Sequence, residues 1–390
     1  MSSGTRRRAF VVVLDACGVG ELPDSAEYGD AGADTLTHVA EAVDGLTLPH
    51  LTALGLGSIT SILGVPPAAA PVVHGRLHPL GPGKDSTTGH WELMGAITPR
   101  ALPTYPDGFP AEILDALRAA TGHEFCCNKP YSGTEVIDDF GEHHLETGEL
   151  ILYTSADSVL QIAAHDRVLS EAALHEVCAK ARAIMTGDHA VGRVIARPFT
   201  GEPGAFERTT GRRDFSVDPP SRTYLDELTA DGVPVHAVGK VFDLFAGKGI
   251  AEAHKGKTNA QGIAATTALI RDLDHGFAFT NLVETDQLYG HRHDTAGFAA
   301  ALQEIDAAVG LWRTLLRADD LLVLTADHGV DPLSDHTDHT REHVPLLAAA
   351  PAATDGHRHD GPMSDVGATV LQWLTGRETE DIPGAPFLEA

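Results

Sequence analysis

Asp327 and His328 stand side by side in the run TADHG at 325–329, and His339 follows inside DHTRE at 338–342. Upstream lie Asp286 and His291, and near the start of the chain Asp15. Three carboxylates and three imidazoles offer oxygen and nitrogen donors, which suit divalent ions such as manganese or zinc and not calcium or cuprous copper. Six donors exceed the needs of one structural ion and suit a pair of ions that grip a transferring phosphoryl group. A second signal is KDSTTGHWE at 84–92, where Ser86, Thr87 and Thr88 precede the helix-like run Trp91 to Ala96. Hydroxyls at a helix start commonly act as caps. Beside two cations the same position accepts a phosphate and favours an alkoxide, so one of these hydroxyls is a candidate nucleophile.

The elements that must position these groups are legible as apolar runs. Ala9 to Leu14 precedes Asp15, Phe277 to Val283 precedes Asp286, Leu321 to Leu324 precedes Asp327, and Val233 to Val238 precedes Gly239 and Lys240. Short continuous runs of this kind predict strands buried on both faces of a parallel sheet. Between them, Ala296 to Leu316 places Phe298, Leu302, Ile305, Val309 and Trp312 at helical spacing. Alternating strands and helices predict a doubly wound α/β core, in which ligands gather outside the carboxyl ends of the strands. The stretch from Arg100 to Pro220 has elements of its own, including a helix over Glu112 to Ala120 and a strand over Leu150 to Thr154, and ends in VDPPSR at 217–222. It reads as a smaller α+β cap over 100–220, inserted between core segments 1–99 and 221–390. The proline-rich stretch Val65 to Gly83 punctuates less clearly, and His357 and His359, within 355–361, read as a solvated loop.

Composition narrows the partners. The 390 residues carry 28 basic and 55 acidic side chains, a net charge of −27. Such a surface repels nucleic acid and anionic membranes. It also repels phosphorylated substrates, so a phosphate site needs a local excess of cations. Arg193, Arg197, Arg208, Arg212, Arg213 and Arg222 supply one, against Glu202, Glu207, Asp214 and Asp218. Apolar runs fall short of the roughly 18 residues of a membrane helix. Arg6, Arg7 and Arg8 before Ala9 to Leu14 resemble a signal peptide whose apolar part is too short, and read as a disordered basic tail leading into a strand. Cys17, Cys126, Cys127 and Cys178 show no C-x-x-C spacing, so reduced cysteines in a cytoplasmic protein are expected. No exposed apolar stripe demands a partner, and a monomer is expected.

Over nearly its whole length the chain resembles the phosphopentomutase family of the alkaline phosphatase superfamily. The resemblance rests on VVLDACGVGELPD at 12–24, KDSTTGHWE at 84–92, NKPYSGTE at 128–135, YTSADSVLQIAAH at 153–165, VGRVIARPF at 191–199 and GHRHD at 290–294, together with TADHG and DHTRE. It implies an alkaline-phosphatase-like core with an inserted cap and two divalent ions, usually manganese. Asp286, His291 and His339 would hold one ion, and Asp15, Asp327 and His328 the other. The phosphorylated residue of the family is normally a threonine directly after Lys-Asp. This chain has Ser86 there, a departure that preserves the oxygen, with Thr87 as the alternative. His336 reads as a solvated loop residue. Arg193, Arg208 and Lys240 match positions that hold the distal phosphate, and Ser155 and Asp157 positions that face the sugar, whereas Arg212 and Arg213 read as surface residues. The implied activity is interconversion of ribose 1-phosphate and ribose 5-phosphate, and of the 2-deoxy sugars, through a phosphoenzyme and a sugar bisphosphate. Glucose 1,6-bisphosphate or a similar compound is the implied activator, and pentose phosphates are the small-molecule partners. The alternative is a metal-dependent phosphohydrolase of the same superfamily, which a cap that admits water would produce.

Overall fold

The structure, a computed structural model, describes residues 7–155, 158–351 and 356–388. It divides into two compact units, Met1–Ala101 with Pro219–Ala390 and Leu102–Asp218. No helix among the described residues is long and apolar enough to cross a membrane.

The first unit is built on an eight-stranded sheet, in the order Glu252–His254, Val235–Val238, Gly276–Leu282, Arg8–Leu14, Asp320–Thr325, Val344–Ala349, Val73–His78 and Gly361–Pro362. The first five strands are parallel. Val344–Ala349 runs antiparallel to both its neighbours, and Gly361–Pro362 adds a short parallel pairing to Val73–His78. The parallel reading of the sequence thus describes one half of the sheet. Val73–His78 also shows that the proline-rich stretch lies within this unit and does not bound it.

Burial explains why the apolar runs became strands. Every residue of Arg8–Leu14, Gly276–Leu282 and Asp320–Thr325 is buried, so β-branched and aromatic side chains pack on both faces. The helix Thr295–Leu315 buries Phe298, Leu302, Ile305, Val309 and Trp312, the stripe expected from their spacing. Each such side chain contributes about 1.5–3 kcal/mol relative to exposure. Register then sets the function of the sheet edge. Leu14 pairs with Leu282 and Val13 with Thr325, so three chain segments leave adjacent strands side by side at one edge.

Arg8 corrects the reading of a disordered basic tail. It opens the central strand and is fully buried. Its Nε donates to Asp320 Oδ1 at 2.8 Å and its Nη2 to Asp320 Oδ2 at 2.5 Å. Nη1 donates to the carbonyls of Ile270 and Leu273 at 2.7 and 3.0 Å, at the end of the helix Asn259–Asp272. A fixed cation is favoured there because helix-terminal carbonyls have no intrahelical donor and the buried Asp320 carboxylate otherwise accepts from Arg317 N at 2.6 Å. Arg7 lies 4.9 Å from the ring of Trp373 and donates to its carbonyl. Arg7 and Arg8, which seemed to belong to a tail, are anchors, and Arg6 lies outside the described residues.

The second unit carries a mixed sheet ordered Phe125–Pro130, Leu150–Thr154, Val159–His165, Arg193–Glu202 and Ala205–Arg208, with Arg213–Ser216 also paired to Arg193–Glu202. The helices Ala111–Thr121 and Glu171–Ile184 contribute Ile113, Leu117, Leu174 and Val177 to a core shared with Leu150, Leu152, Leu160 and Ile162. The helix Glu135–Thr147 brings Val136 and Ile137 to Ile151, Tyr153, Phe199 and Phe206. This is an α+β arrangement with its own core.

Removing one partner of a buried ion pair leaves the other charged and uncompensated, at a cost of about 3–5 kcal/mol. Asp320→Asn is therefore expected to lower the unfolding free energy in urea by about that much. Replacing Arg8 with Met and Asp320 with Leu together is expected to cost less than the single change. A double variant less stable than Asp320→Asn would contradict this account.

Candidate active site

The strand ends supply the carboxylates. Asp15 directly follows Arg8–Leu14, Asp286 lies in the short turn Thr285–Tyr289 after Gly276–Leu282, and Asp327 and His328 follow Asp320–Thr325. His339 arrives on the loop before Val344–Ala349, which is pinned back by Thr340 N donating to the Gly329 carbonyl at 2.8 Å. His291 sits in the turn Gly290–Arg292, with Nδ1 2.6 Å from the Thr337 carbonyl. Asp15, Asp286, Asp327, His328 and His339 are buried, and His291 is partly exposed.

All six residues meet. Asp286 Oδ1 is 3.3 Å from His291 Nε2 and 3.4 Å from His339 Nε2. His328 Nε2 is 3.5 Å from Asp15 Oδ1 and 3.4 Å from Asp327 Oδ2. The rings of His328 and His339 stack at 3.9 Å. Two donor groups result, Asp286 with His291 and His339, and Asp15 with Asp286 and His328. Asp286 is thus common to both, where the family resemblance set Asp327 beside Asp15 and His328.

The cluster fits divalent ions on its own chemistry. The buried oxygens Asp15 Oδ1, Asp286 Oδ1 and Asp327 Oδ2 make no hydrogen bond of good geometry. Uncompensated buried carboxylate oxygens are costly unless a cation meets them. Their spacing from the imidazole nitrogens also matches neighbouring ligands around a tetrahedral ion with bonds of about 2.0–2.2 Å, which stand roughly 3.3–3.6 Å apart.

Electrostatics follow from burial. Burial pushes the His328 imidazole down to about 3, so it stays neutral with a lone pair to offer. Burial and the Asp327 charge push Asp15 well above the usual carboxylate range, against the pull of Lys240. For Asp286 burial also acts upward, but contact with His339 and the charge of Lys240 outweigh it and hold that carboxyl well below the range. His328 and His90 do the same for Asp327.

Ser86 opens the helix Ser86–Leu93, which begins earlier than the run Trp91 to Ala96 read from sequence. The cap is Asp85, whose carboxylate accepts from Thr87 N at 2.9 Å and Thr88 N at 3.1 Å, and from Thr88 Oγ1 at 2.8 Å. A carboxylate cap leaves the Ser86 hydroxyl to the cluster, 3.1 Å from His328 Nε2. Gly89 permits the approach, because a Cβ there would lie 2.3 Å from the Asp327 carbonyl oxygen. Lys240 Nζ donates to Ser86 Oγ at 2.8 Å and stands 2.5 Å from Asp15 Oδ2. Burial would lower its pKa, but Asp15, Asp286 and Asp327 raise it instead. The family resemblance matched Lys240 to a distal-phosphate position, and its ammonium lies against Ser86.

Two residues escaped notice in the sequence. His90 is fully buried, with Nδ1 2.8 Å from the Ser86 carbonyl and 3.2 Å from Asp327 Oδ2. Asn281 Nδ2 stands 3.2 Å from His90 Nε2 and donates to Asp15 Oδ2 at 3.1 Å. His90 lies one helical turn after Ser86, and that spacing in KDSTTGHWE was the available signal. His336 is a partly exposed loop residue, but it has a buried partner. Its Nε2 lies 3.0 Å from Oδ1 of the buried Asp30, which accepts in addition from Lys84 Nζ at 3.0 Å and from Arg341 N at 2.8 Å. His359 likewise pairs with Asp365 at 2.8 Å.

The expected sugar-phosphate residues lie in the second unit. Arg208 Nε donates to the Gly133 carbonyl at 3.0 Å, and Arg193 Nη1 stands 3.6 Å from Asp214 Oδ2. Arg212, read as a surface residue, grips Asp214 with two hydrogen bonds of 2.7 and 2.8 Å. Arg197 is pushed down to about 10, first by burial and then by the charges of Arg212 and Arg208. Ser155 follows the strand Leu150–Thr154 and is half-buried. Asp157 lies outside the described residues.

Behind the cluster, Glu342 accepts from Thr35 N at 2.9 Å and from Thr35 Oγ1 and Thr340 Oγ1, both at 2.6 Å. Burial nonetheless pushes its carboxyl up to about 7. Its folded pKa thus lies above the unfolded value, so the unfolded chain releases the proton first and stability falls as pH rises between the two. The unfolding free energy of the native chain, relative to Glu342→Gln, should fall by about 3 kcal/mol from pH 4.5 to 7 and level off above. A difference independent of pH in urea titrations would refute the shift. His90→Phe is expected to weaken manganese binding by about 10–100-fold in calorimetric titration, the usual cost of losing a partner that orients a ligand. Unchanged affinity would remove His90 from the site.

A family model of the metalloenzyme superfamily matches residues 7–376. Divalent ions are accordingly the cofactors of this class of protein. Curated phosphopentomutases are similar along almost the entire chain. That of Desulfitobacterium hafniense is 45% identical over 385 residues, covering 98% of this chain and 99% of its own. That of Anaeromyxobacter dehalogenans is 49% identical over 371 residues, covering 94% and 95%. A solved phosphoglycerate mutase from Leishmania mexicana shares the fold, with a TM-score of 0.52 at 13% identity over 99% of this chain and 98% of that one. With an Asp and His cluster at the strand ends and relatives of this similarity, the chain belongs to the phosphopentomutase family of the metalloenzyme superfamily and is an enzyme of the phosphomutase type.

Proposed function

We propose that this phosphomutase interconverts ribose 1-phosphate and ribose 5-phosphate, and the corresponding 2-deoxy sugars, through a phosphorylated Ser86 and a sugar bisphosphate. The observation that carries the reading is the Ser86 hydroxyl at the mouth of the cluster, 2.8 Å from Lys240 Nζ and 3.1 Å from His328 Nε2. Two divalent ions, manganese by family resemblance, would be held by Asp286, His291 and His339 and by Asp15, Asp327 and His328, and would neutralise phosphoryl charge.

The chain's own groups account for the rest. The phosphoryl group leaves Ser86 Oγ for the free hydroxyl of the bound sugar phosphate. The bond to serine breaks, the bond to the sugar oxygen forms, and the sugar hydroxyl proton ends on Ser86. Lys240 donates to the serine oxygen as negative charge develops on it, the role of a pre-aligned donor. His90 and Asn281 orient Asp327 and Asp15. The bisphosphate turns over, and its other phosphate returns to Ser86. Arg193 and Arg208 bind the distal phosphate through guanidinium forks, with Ser155 and Asp157 facing the sugar. Water must be kept from the phosphoserine, since its hydrolysis would convert mutase into phosphatase. A sugar bisphosphate such as glucose 1,6-bisphosphate primes Ser86.

Manganese-loaded protein is expected to convert ribose 1-phosphate into ribose 5-phosphate with little free phosphate. Free phosphate as the main product would establish the hydrolase instead. Ser86→Ala is expected to lose on the order of 10⁴-fold or more in kcat, Ser86→Thr to retain activity, and Lys240→Gln to lose about 10²–10³-fold. Peptide mapping after treatment with glucose 1,6-bisphosphate should place the phosphate on Ser86; a phosphate on Thr87 alone would overturn the assignment.

A further inference from the structure

We propose a further divalent-cation site, of the kind that takes zinc, on the edge of the core sheet, built from His236, Glu252 and His254. It shares no residue with the cluster at the strand ends.

Strand pairing assembles it. In the parallel pair Val235–Val238 and Glu252–His254, His236 lies opposite Glu252. His254 is two residues beyond Glu252, and side chains alternate along a strand, so all three share one face. His236 Nδ1 is 3.1 Å from His254 Nε2, and the rings stack at 5.4 Å with 26° between their planes. Glu252 stands between them, with Oε2 3.6 Å from His236 Nδ1 and Oε1 3.7 Å from His254 Nε2.

The imidazole nitrogens are within hydrogen-bond distance of each other, but the two carboxylate spacings are not those of an ordinary hydrogen-bonded cluster. A carboxylate that bonds imidazoles directly closes to about 2.7–3.2 Å. Glu252 stays outside that range from both rings. Ligands around a tetrahedral ion with bonds of about 2.0–2.2 Å stand roughly 3.3–3.6 Å apart, which brackets the mean of the three separations. Two imidazoles and one carboxylate with an outward opening form the ligand set of an open zinc site, completed by solvent. Glu252 is 61% exposed, so its charge costs little before the ion arrives. Burial lowers the His236 pKa, against the charge of Glu252. Ligation through His236 Nδ1 and His254 Nε2 leaves each ring proton on the opposite nitrogen and releases none.

The site also has a physical use. Glu252–His254 is a three-residue edge strand, held by few ladder bonds. An ion joining it to Val235–Val238 clips the edge directly before Gly239, whose N–H donates to the His254 carbonyl at 3.1 Å, and Lys240.

The test uses the full chain equilibrated with excess zinc, gel-filtered and assayed for metal by plasma mass spectrometry. The variant His236→Ala with His254→Ala is expected to retain about one zinc fewer per chain than the parent, and equal content overturns the proposal. In an Asp286→Ala, His339→Ala background the edge equivalent should persist, and its loss there would also overturn it. A third measurement does not depend on any variant folding. In the unaltered chain, zinc should protect His254 from diethyl pyrocarbonate, mapped by peptide mass, and equal modification with and without zinc would rule the site out.

Discussion

Three buried carboxylates on neighbouring strand ends are the constraint on which this protein depends. Asp15, Asp286 and Asp327 would repel one another strongly in an apolar interior, and bringing them together is unfavourable unless positive charge meets them. The protein supplies part of that charge as Lys240, which touches Asp15. The His328 imidazole, which burial keeps neutral, supplies a donor atom instead of further charge. Divalent ions supply what remains. Binding of metal and stability of the strand ends are therefore one problem, and the Ser86 hydroxyl is placed where that problem is solved.

The opposite end of the same central strand carries the complementary arrangement. Arg8 is buried against Asp320 and the carbonyls that end a helix. One strand of seven residues thus bears a compensated cation at its entry and a carboxylate cluster at its exit. The apolar middle, buried on both faces, keeps the two ends at fixed spacing. Rigid placement of this kind is what transfer chemistry requires, because misplacement of reacting groups by even an ångström is costly.

Support for the ligands is spread over segments remote in sequence. His90 on the helix that Ser86 opens reaches Asp327, and Asn281 on a different strand joins His90 to Asp15. Asp30 gathers His336, Lys84 and Arg341, so the loop carrying His339 and the segment leading to Ser86 hang from one carboxylate. Glu342 ties the same loop to Thr35. The site is positioned by hydrogen-bonded carboxylates that do not themselves face it.

Much of this was readable without coordinates. Continuous apolar runs ending in aspartate announced strands that deliver ligands to one edge, since burial on both faces leaves a composition signature and strand ends leave a polar residue. The spacing of Phe298, Leu302, Ile305, Val309 and Trp312 announced its helix for the same reason. Residue type alone also determined the class of metal and the presence of a hydroxyl after Lys84-Asp85. The partners of isolated polar residues were not readable. Arg8 looked like a tail, and neither the Asp30 partner of His336 nor the Ser86 partner of Lys240 could be read, because charge in a sequence has no direction until distant segments are folded beside it. Likewise His236 and His254 lie eighteen positions apart and meet only through strand register. Local pattern determined which elements form and which chemistry they can carry; only tertiary structure decided which side chain meets which, since those contacts are made across sequence separations that no local pattern encodes.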